Sequence, residues 1–75
     1  MERITVESSI LASVCYLPDL RILQLGLRTG KDYEYFEVPL NTYRELLASE
    51  SKGRYYNQHI RNDFRFQPIN SRAAG

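Results

Sequence analysis

The sequence has no tryptophan, one histidine and one cysteine in 75 residues, and these scarcities limit its chemistry. A lone cysteine, Cys15, cannot form an intrachain disulfide, which favours a reducing compartment, and we expect the cytoplasm. Because His59 has no second ligand at metal-binding spacing, we expect no metal and no other cofactor. Glu34 and Glu37 fall on opposite faces of a strand and do not form an acid–base pair. The sequence is therefore not expected to encode an enzyme.

The sequence also lacks a long apolar run, and charged residues (Glu2, Arg3 and Glu7) occupy the place of a signal-peptide core. We therefore expect no membrane partner. Apolar residues make up 43% of the chain and charged residues 25%, as in ordinary globular domains. A chain this short can build one domain of two layers around a marginal core.

The net charge of +1 conceals an uneven distribution. Residues 1–50 carry five basic and eight acidic side chains, a net charge of −3, whereas residues 51–75 carry five basic and one acidic, a net charge of +4. A basic end on an acidic body suits an anionic partner, although an ordinary solvated surface has the same composition.

Three runs predict strands, namely Ile10–Tyr16, Arg21–Leu27 and Asp32–Val38. The apolar residues of the first run change parity, which predicts a bulge near Ala12-Ser13. Residues 1–9 resemble a polar lead-in that enters a strand, if at all, at Ile4-Thr5-Val6.

The second and third strands flank a turn whose length decides where Tyr33 and Tyr35 point. A two-residue loop, Thr29-Gly30, puts both rings opposite the face that carries Leu23 and Leu25. A three-residue loop with Gly30 in the left-handed conformation puts them on that face, in the core. A single glycine at the third position favours the longer loop.

Helical spacing begins after Val38-Pro39, where Leu40, Tyr43, Leu46 and Leu47 form one apolar stripe that ends near Ser49-Glu50. A second helix is predicted at Lys52–Arg61, with Ser51 as its N-cap. We therefore expect an α+β fold: a small three-stranded antiparallel meander packed against two C-terminal helices. Phe64 and Phe66 indicate a last extended segment, so residues 1–66 form the domain and 67–75 a flexible tail.

The start of the second helix is the first candidate binding site. Ser51, Lys52, Gly53 and Arg54 combine unpaired amide donors, a hydroxyl, close backbone access and two positive charges, which suits a phosphate. The alternative is an ordinary cap followed by a packing glycine, which is a far commoner arrangement.

Tyrosines are the second candidate, since single-stranded nucleic acids stack bases on exposed rings beside basic side chains. Tyr33 and Tyr55 are predicted to be the exposed pair, and Arg61 is a further phosphate contact. The remaining four are expected to be mainly structural, because a small core needs large side chains: Tyr16, Tyr35, Tyr43 and Tyr56.

The order of these features resembles the KTSC domain, a small module named for its place at the C-terminus of some lysyl-tRNA synthetases and also found alone in bacteria. The likeness runs from about Val6 to Phe64. It is carried by Ser8-Ser9, Tyr16, Gly30, Tyr33-x-Tyr35, Val38-Pro39, Tyr43, Leu46, Ser51-Lys52-Gly53-Arg54-Tyr55-Tyr56-Asn57 and Ile60-Arg61.

Two positions depart from the family pattern. Cys15-Tyr16-Leu17 stands where members have Gly-Tyr-Asp, and Ser49 replaces an alanine. The resemblance implies an α+β fold around the Tyr-x-Tyr motif, and RNA binding is the role suggested for the family.

These observations favour a small non-catalytic binding module whose partner is RNA. The rival hypothesis is a protein-interaction module of bacterial or phage origin that uses a sheet edge or a dimer interface, because a short sheet exposes unpaired edges.

Overall fold

A computed structural model describes residues 3–6 and 8–69 and shows an antiparallel sheet with helices packed on one face. The strands are β1 (Ile4–Thr5), β2 (Leu11–Leu17), β3 (Ile22–Leu27), β4 (Asp32–Tyr35) and β5 (Phe66–Ile69). The helices, which lie between β4 and β5 in the chain, are α1 (Leu40–Ala48), α2 (Lys52–Tyr55) and a π-helical segment (Tyr56–Ile60).

The described residues form a sheet of five strands in the order β1-β2-β3-β4-β5, so the prediction of three strands was wrong. The two additional strands lie at the edges: β1 pairs with β2, and β5 pairs with β4. Both are short, and β5 contains Pro68, which an edge strand tolerates because it has one side without ladder hydrogen bonds.

The hairpin between β3 and β4 has the predicted three-residue loop. The Leu27 amide donates to the Lys31 carbonyl at 2.8 Å, and Gly30 adopts the left-handed conformation with φ of 96°. Tyr33 pairs with Leu25 and Tyr35 with Leu23, so both tyrosines lie on the core face. This register decides between the two alternatives that the sequence left open.

The core fills the space between this sheet face and the helices. The predicted bulge in β2 is present, since the register shifts between Leu11 and Ser13. That shift turns the buried side chains of β2 toward the helices. The buried cluster comprises Val6, Leu11, Val14, Tyr16, Leu23, Leu25, Tyr35, Val38, Tyr43, Leu46, Tyr56 and Ile60.

The third predicted strand, Asp32–Val38, ends earlier than expected, at Tyr35. Glu37 has φ of 56°, in the left-handed region, and this turn stops the strand. Val38 is thereby carried into the core with no exposed surface, where its amide donates to the Arg21 carbonyl at 2.8 Å.

The predicted second helix, Lys52–Arg61, is divided between α2 and the π-helical segment, in which the Arg61 amide donates to the Tyr56 carbonyl at 2.9 Å. Strand β5 extends the sheet to Ile69, three residues beyond the predicted domain boundary at 66. The rest of the predicted tail, residues 70–75, lies outside the described residues. Within the described part of the chain every helix is too short to span a bilayer.

Candidate nucleic-acid interface

The residues predicted at the start of α2 make contacts within the protein. The Ser51 hydroxyl accepts a hydrogen bond from the Arg54 amide at 3.3 Å, as an N-cap does. The Lys52 ammonium donates to the Ser49 carbonyl at 3.2 Å. Gly53 is buried, and a Cβ there would lie 3.0 Å from Cδ1 of Ile10. The capping, charge and close approach predicted from sequence thus hold α2 against α1 and the segment before β2.

Arg54 and Tyr55 stand beside these residues at a shallow depression of about 200 Å³. The Tyr55 hydroxyl donates to Oε1 of Glu45 at 2.7 Å, and its ring packs on His59 at 4.6 Å between centroids. Burial and the Glu45 carboxylate raise the pKa of Tyr55 to about 12. Because Glu45 and Glu50 lie close by, the depression is less favourable for an anion than Lys52 and Arg54 alone would make it.

A larger groove, of about 340 Å³, lies between the π-helical segment and the β4–β5 edge of the sheet. Its volume is at the lower end of the range for small-molecule pockets. Most of its lining is aromatic or aliphatic, and we call it the aromatic groove: Ile10, Leu27, Tyr33, Tyr35, Tyr56, Asn57, Arg61 and Phe66.

Phe66 is the most exposed ring of the aromatic groove. Half of its surface is accessible, although Tyr35 stacks against it at 5.3 Å between centroids and Tyr33 lies nearly perpendicular to it at 5.6 Å. Such aromatic pairs hold ring geometry firmly. Phe66 is therefore a flat apolar surface that is half-exposed and held in place by two rings.

Two buried tyrosines that line the aromatic groove are joined through their hydroxyls. The Tyr35 and Tyr56 oxygens are 2.6 Å apart, and one hydroxyl donates to the other. Burial, and then the hydrogen bond with Tyr56, raise the pKa of Tyr35 far above the ordinary value, although the positive charge of Arg61 acts in the opposite direction. The Tyr35 hydroxyl thus remains protonated at neutral pH.

Arg61 and Asn57 supply further polar groups of the aromatic groove. Both are exposed, and both come from or directly follow the π-helical segment. Arg61 makes no ion pair with any residue that the structure describes. Arg65 differs, because it lies over the Phe36 ring and 3.9 Å from the Glu37 carboxylate. The basic residues of the C-terminal third that the structure describes therefore do not form one patch.

The structure divides the residues predicted as a site into two groups. Tyr33 and Arg61 meet in the aromatic groove, whereas the residues from Ser51 to Tyr55 lie at the start of α2. Sequence reasoning missed Phe66 and Asn57. The alternation of Phe64 and Phe66 with charged residues did indicate an extended segment, but not that this segment returns to pair with β4.

Within residues 3–6 and 8–69 no three side chains of histidine, cysteine, aspartate or glutamate converge as metal ligands would. The fold and the groove define a small α+β domain with a concave aromatic surface. The KTSC domain model matches residues 7–64. The chain belongs to the KTSC domain family.

Three similar proteins contain this domain over different shares of their length. A lysine–tRNA ligase from Nostoc sp. is 35% identical over 63 residues, which cover 84% of this chain and 11% of the ligase. A protein from Tsukamurella paurometabola is 42% identical over 60 residues, covering 80% of this chain and 90% of that protein. The crystal structure of a KTSC domain protein from Yersinia pestis superposes with a TM-score of 0.88 at 32% identity, covering 91% and 96% of the two chains. The same domain thus occurs as a small part of a large ligase and as nearly all of a short protein.

Proposed function

We propose that this domain is a non-catalytic RNA-binding module, in which the aromatic groove holds a base and Arg61 holds a phosphate. The observation that carries the proposal is Phe66, a half-exposed ring fixed by two tyrosines on the groove that Arg61 also lines. Proteins that bind single-stranded nucleic acids combine such rings with cations along the backbone path.

The relatives support an RNA partner. Lysine–tRNA ligases, whose name states that they act on a tRNA, contain a segment 30–35% identical to this chain. An RNA-binding appendage suits such a ligase, and we extend that role to this chain. The single cysteine keeps the cytoplasm as the proposed location.

A non-catalytic role is supported by the contacts of the residues that an enzyme would use. Glu34 accepts a hydrogen bond from the Gln67 amide at 2.6 Å, and Glu37 is paired with Arg65. His59 packs on Tyr55, and Cys15 is buried in the sheet. These side chains serve the fold.

The start of α2 is proposed as a secondary contact. Arg54 is exposed and makes no ion pair with a described residue, so it can reach a phosphate directly. Lys52 would first have to leave the Ser49 carbonyl. Ser51, Gly53 and Tyr55 would act by shaping this surface. We therefore expect a smaller contribution here than from the aromatic groove.

The test is a titration of fluorescently labelled single-stranded RNA at two salt concentrations. Phe66→Ala should weaken binding by about 1–3 kcal/mol, or roughly 5- to 150-fold. Arg61→Gln should weaken binding and reduce its dependence on salt. Arg65→Gln is the matched control, because it removes the same charge from a residue already paired with Glu37.

No binding at low salt would overturn the proposal. So would wild-type affinity in both Phe66→Ala and Arg61→Gln. A Lys52→Ala/Arg54→Ala variant measures the secondary contact, and a loss larger than that of Phe66→Ala would move the principal site to the start of α2.

A protein-interaction module is the second candidate, favoured by the two edges of the sheet. Strands β1 and β5 are each paired on one side within the described residues, and free edges invite strand addition. This function predicts mass that rises with concentration in sedimentation and a capture that survives nuclease and high salt. A monomer at all concentrations, with nothing captured, would argue against it.

A further inference from the structure

We infer that the aromatic groove is an insertion site for one unpaired base, which lies against Phe66 and directs its edge toward the Tyr35–Tyr56 hydroxyl pair. This inference rests on the proposed RNA-binding function and names its ligand more narrowly. The ligand class is RNA with an unstacked base, as in loops, bulges and ends, rather than duplex RNA.

The hydroxyl pair provides a donor for such a base. Two phenols carry two O–H groups, but the 2.6 Å bond between their oxygens uses only one of them. Among the described residues neither hydroxyl has another hydrogen-bond acceptor. Both tyrosines are buried but line the aromatic groove, so on this inference an acceptor that enters the groove, such as a base carbonyl or ring nitrogen, takes the second O–H.

The ring walls suit a flat heterocycle. Tyr35 stacks on Phe66, and Tyr33 lies nearly perpendicular to it, so the accessible half of Phe66 is the surface that these two rings leave uncovered. A base that stacks there needs a polar group for its edge, which the hydroxyl pair and the Asn57 amide supply. Apolar walls with a few polar groups that fix orientation are typical of specific small-ligand sites.

The π-helical segment places its polar groups beside this platform. The bond from the Arg61 amide to the Tyr56 carbonyl spans five residues, which widens the turn that carries Tyr56, Asn57 and Arg61. Such turns are frequent at functional sites. One segment of chain thus contributes a hydroxyl, an amide and a guanidinium to one groove.

The charge pattern disfavours a duplex as the ligand. A duplex hides its bases and is held through many phosphates and sugars, which requires a broad basic surface. Here Arg61 is the charged residue of the aromatic groove, and Arg65 is paired with Glu37. An unpaired base brings stacking surface and one or two phosphates, which matches what the groove offers.

Three RNAs of equal length and labelling test the inference: a single strand, its duplex, and a single strand of abasic nucleotides that keeps the phosphates. We expect the single strand to bind at least about tenfold more tightly than either of the other two, because each stacked base contributes substantially. Equal affinity for the three RNAs would overturn base insertion while leaving RNA binding intact. Absence of binding to all three would overturn the proposed function as well.

Two variants locate the site. Tyr35→Phe/Tyr56→Phe keeps both rings and removes both hydroxyls together, and it should weaken single-strand binding about two- to tenfold, as expected for one lost hydrogen bond. Asn57→Asp places a negative charge at an exposed residue of the aromatic groove. It should weaken single-strand binding more than Tyr35→Phe/Tyr56→Phe does. Asn41→Asp, the same change at an exposed position on α1, is the control. Single-strand preference with wild-type affinity in both groove variants would place base recognition elsewhere and overturn the inference.

Discussion

At the residue scale, the six tyrosines differ in burial and in contacts, and the sequence predicted which of them are buried. The Tyr16 hydroxyl donates to the Val38 carbonyl at 2.6 Å, and its ring stacks on Tyr43 at 4.9 Å. The four predicted to be structural are the buried ones: Tyr16, Tyr35, Tyr43 and Tyr56. Tyr33 and Tyr55 are half-buried. Tyr35 and Tyr56 also line the aromatic groove, which periodicity alone did not indicate.

The Tyr35–Tyr56 hydroxyl pair should show a non-additive effect on stability. Tyr56→Phe leaves the Tyr35 hydroxyl buried without its partner, and should lower the free energy of unfolding by about 1–3 kcal/mol. The Tyr35→Phe/Tyr56→Phe variant removes both polar groups and should lie closer to wild type. Urea unfolding of the three proteins checks this, and additive losses would contradict a direct bond between the two hydroxyls.

The tyrosines should also make the fold sensitive to alkali. Burial raises the pKa values of Tyr35 and Tyr43 above 10.0, and burial with the Glu45 bond raises that of Tyr55 to about 12. Above pH 10 the unfolded chain therefore releases protons that the folded chain retains, so stability falls as pH rises. Their contribution should be complete below pH 10 and should decline from there through pH 12 and beyond. Unfolding free energies measured from pH 8 to about 12, with tyrosinate absorbance as a second signal, test the sign.

At the element scale, local signals were sufficient for the β3–β4 hairpin, the β2 bulge and α1. Each depends on neighbours in the chain, such as Gly30 in the loop or the apolar stripe of α1. Strand β5 depends instead on β4, which precedes it by 30 residues, and its four residues include a proline. Phe66 was missed as a site residue because its position in the groove follows from that distant pairing.

The π-helical segment was also hidden in the sequence. Tyr56 and Ile60 are buried together, and a spacing of four residues is compatible with an α-helix as well as with a wider turn. The sequence therefore predicted one continuous helix. Ser51 was correctly predicted as the N-cap, but the contact of Lys52 with Ser49 and that of Gly53 with Ile10 were not indicated by the pattern.

The contact between Gly53 and Ile10 gives a prediction for packing of α2. Gly53→Val should lower the free energy of unfolding by about 1–3 kcal/mol, because even a Cβ would lie 3.0 Å from Cδ1 of Ile10. When Ile10 is already replaced by alanine, the additional change Gly53→Val should cost less free energy of unfolding than it does in the wild-type protein, because the shorter side chain leaves room for the valine. Thermal or urea unfolding of the four proteins measures the coupling, and independent losses would show that the two side chains do not compete for the same space.

At the scale of the whole molecule, charge is spread rather than concentrated. The net charge is +1, and the described basic residues of the C-terminal third lie at three separate places: the start of α2, the aromatic groove and the ion pair with Glu37. An RNA partner would therefore be held more by stacking than by charge.

This distribution predicts a shallow dependence of RNA affinity on salt. For single strands the slope of log K against log salt is about −0.7 per phosphate neutralised, so contact through Arg61 alone gives about −0.7. Contacts by Arg54 and Lys52 would extend the slope to about −2. Arg61→Gln should flatten it by about 0.7. A wild-type slope steeper than about −3 would indicate a broad electrostatic surface instead.

The strand order also determines when the aromatic groove exists during synthesis. Strands β1 to β4 leave the ribosome first, and β5 follows only after the 30 residues from 36 to 65, which take roughly 2–6 s at ordinary translation rates. During that interval β4 is an open sheet edge that carries Tyr33 and Tyr35. The charge of Glu34 on this strand disfavours pairing with another chain and so limits aggregation. A nascent chain therefore lacks Phe66 beside Tyr33 and Tyr35 until β5 is made, so the proposed RNA binding would require the completed five-stranded sheet.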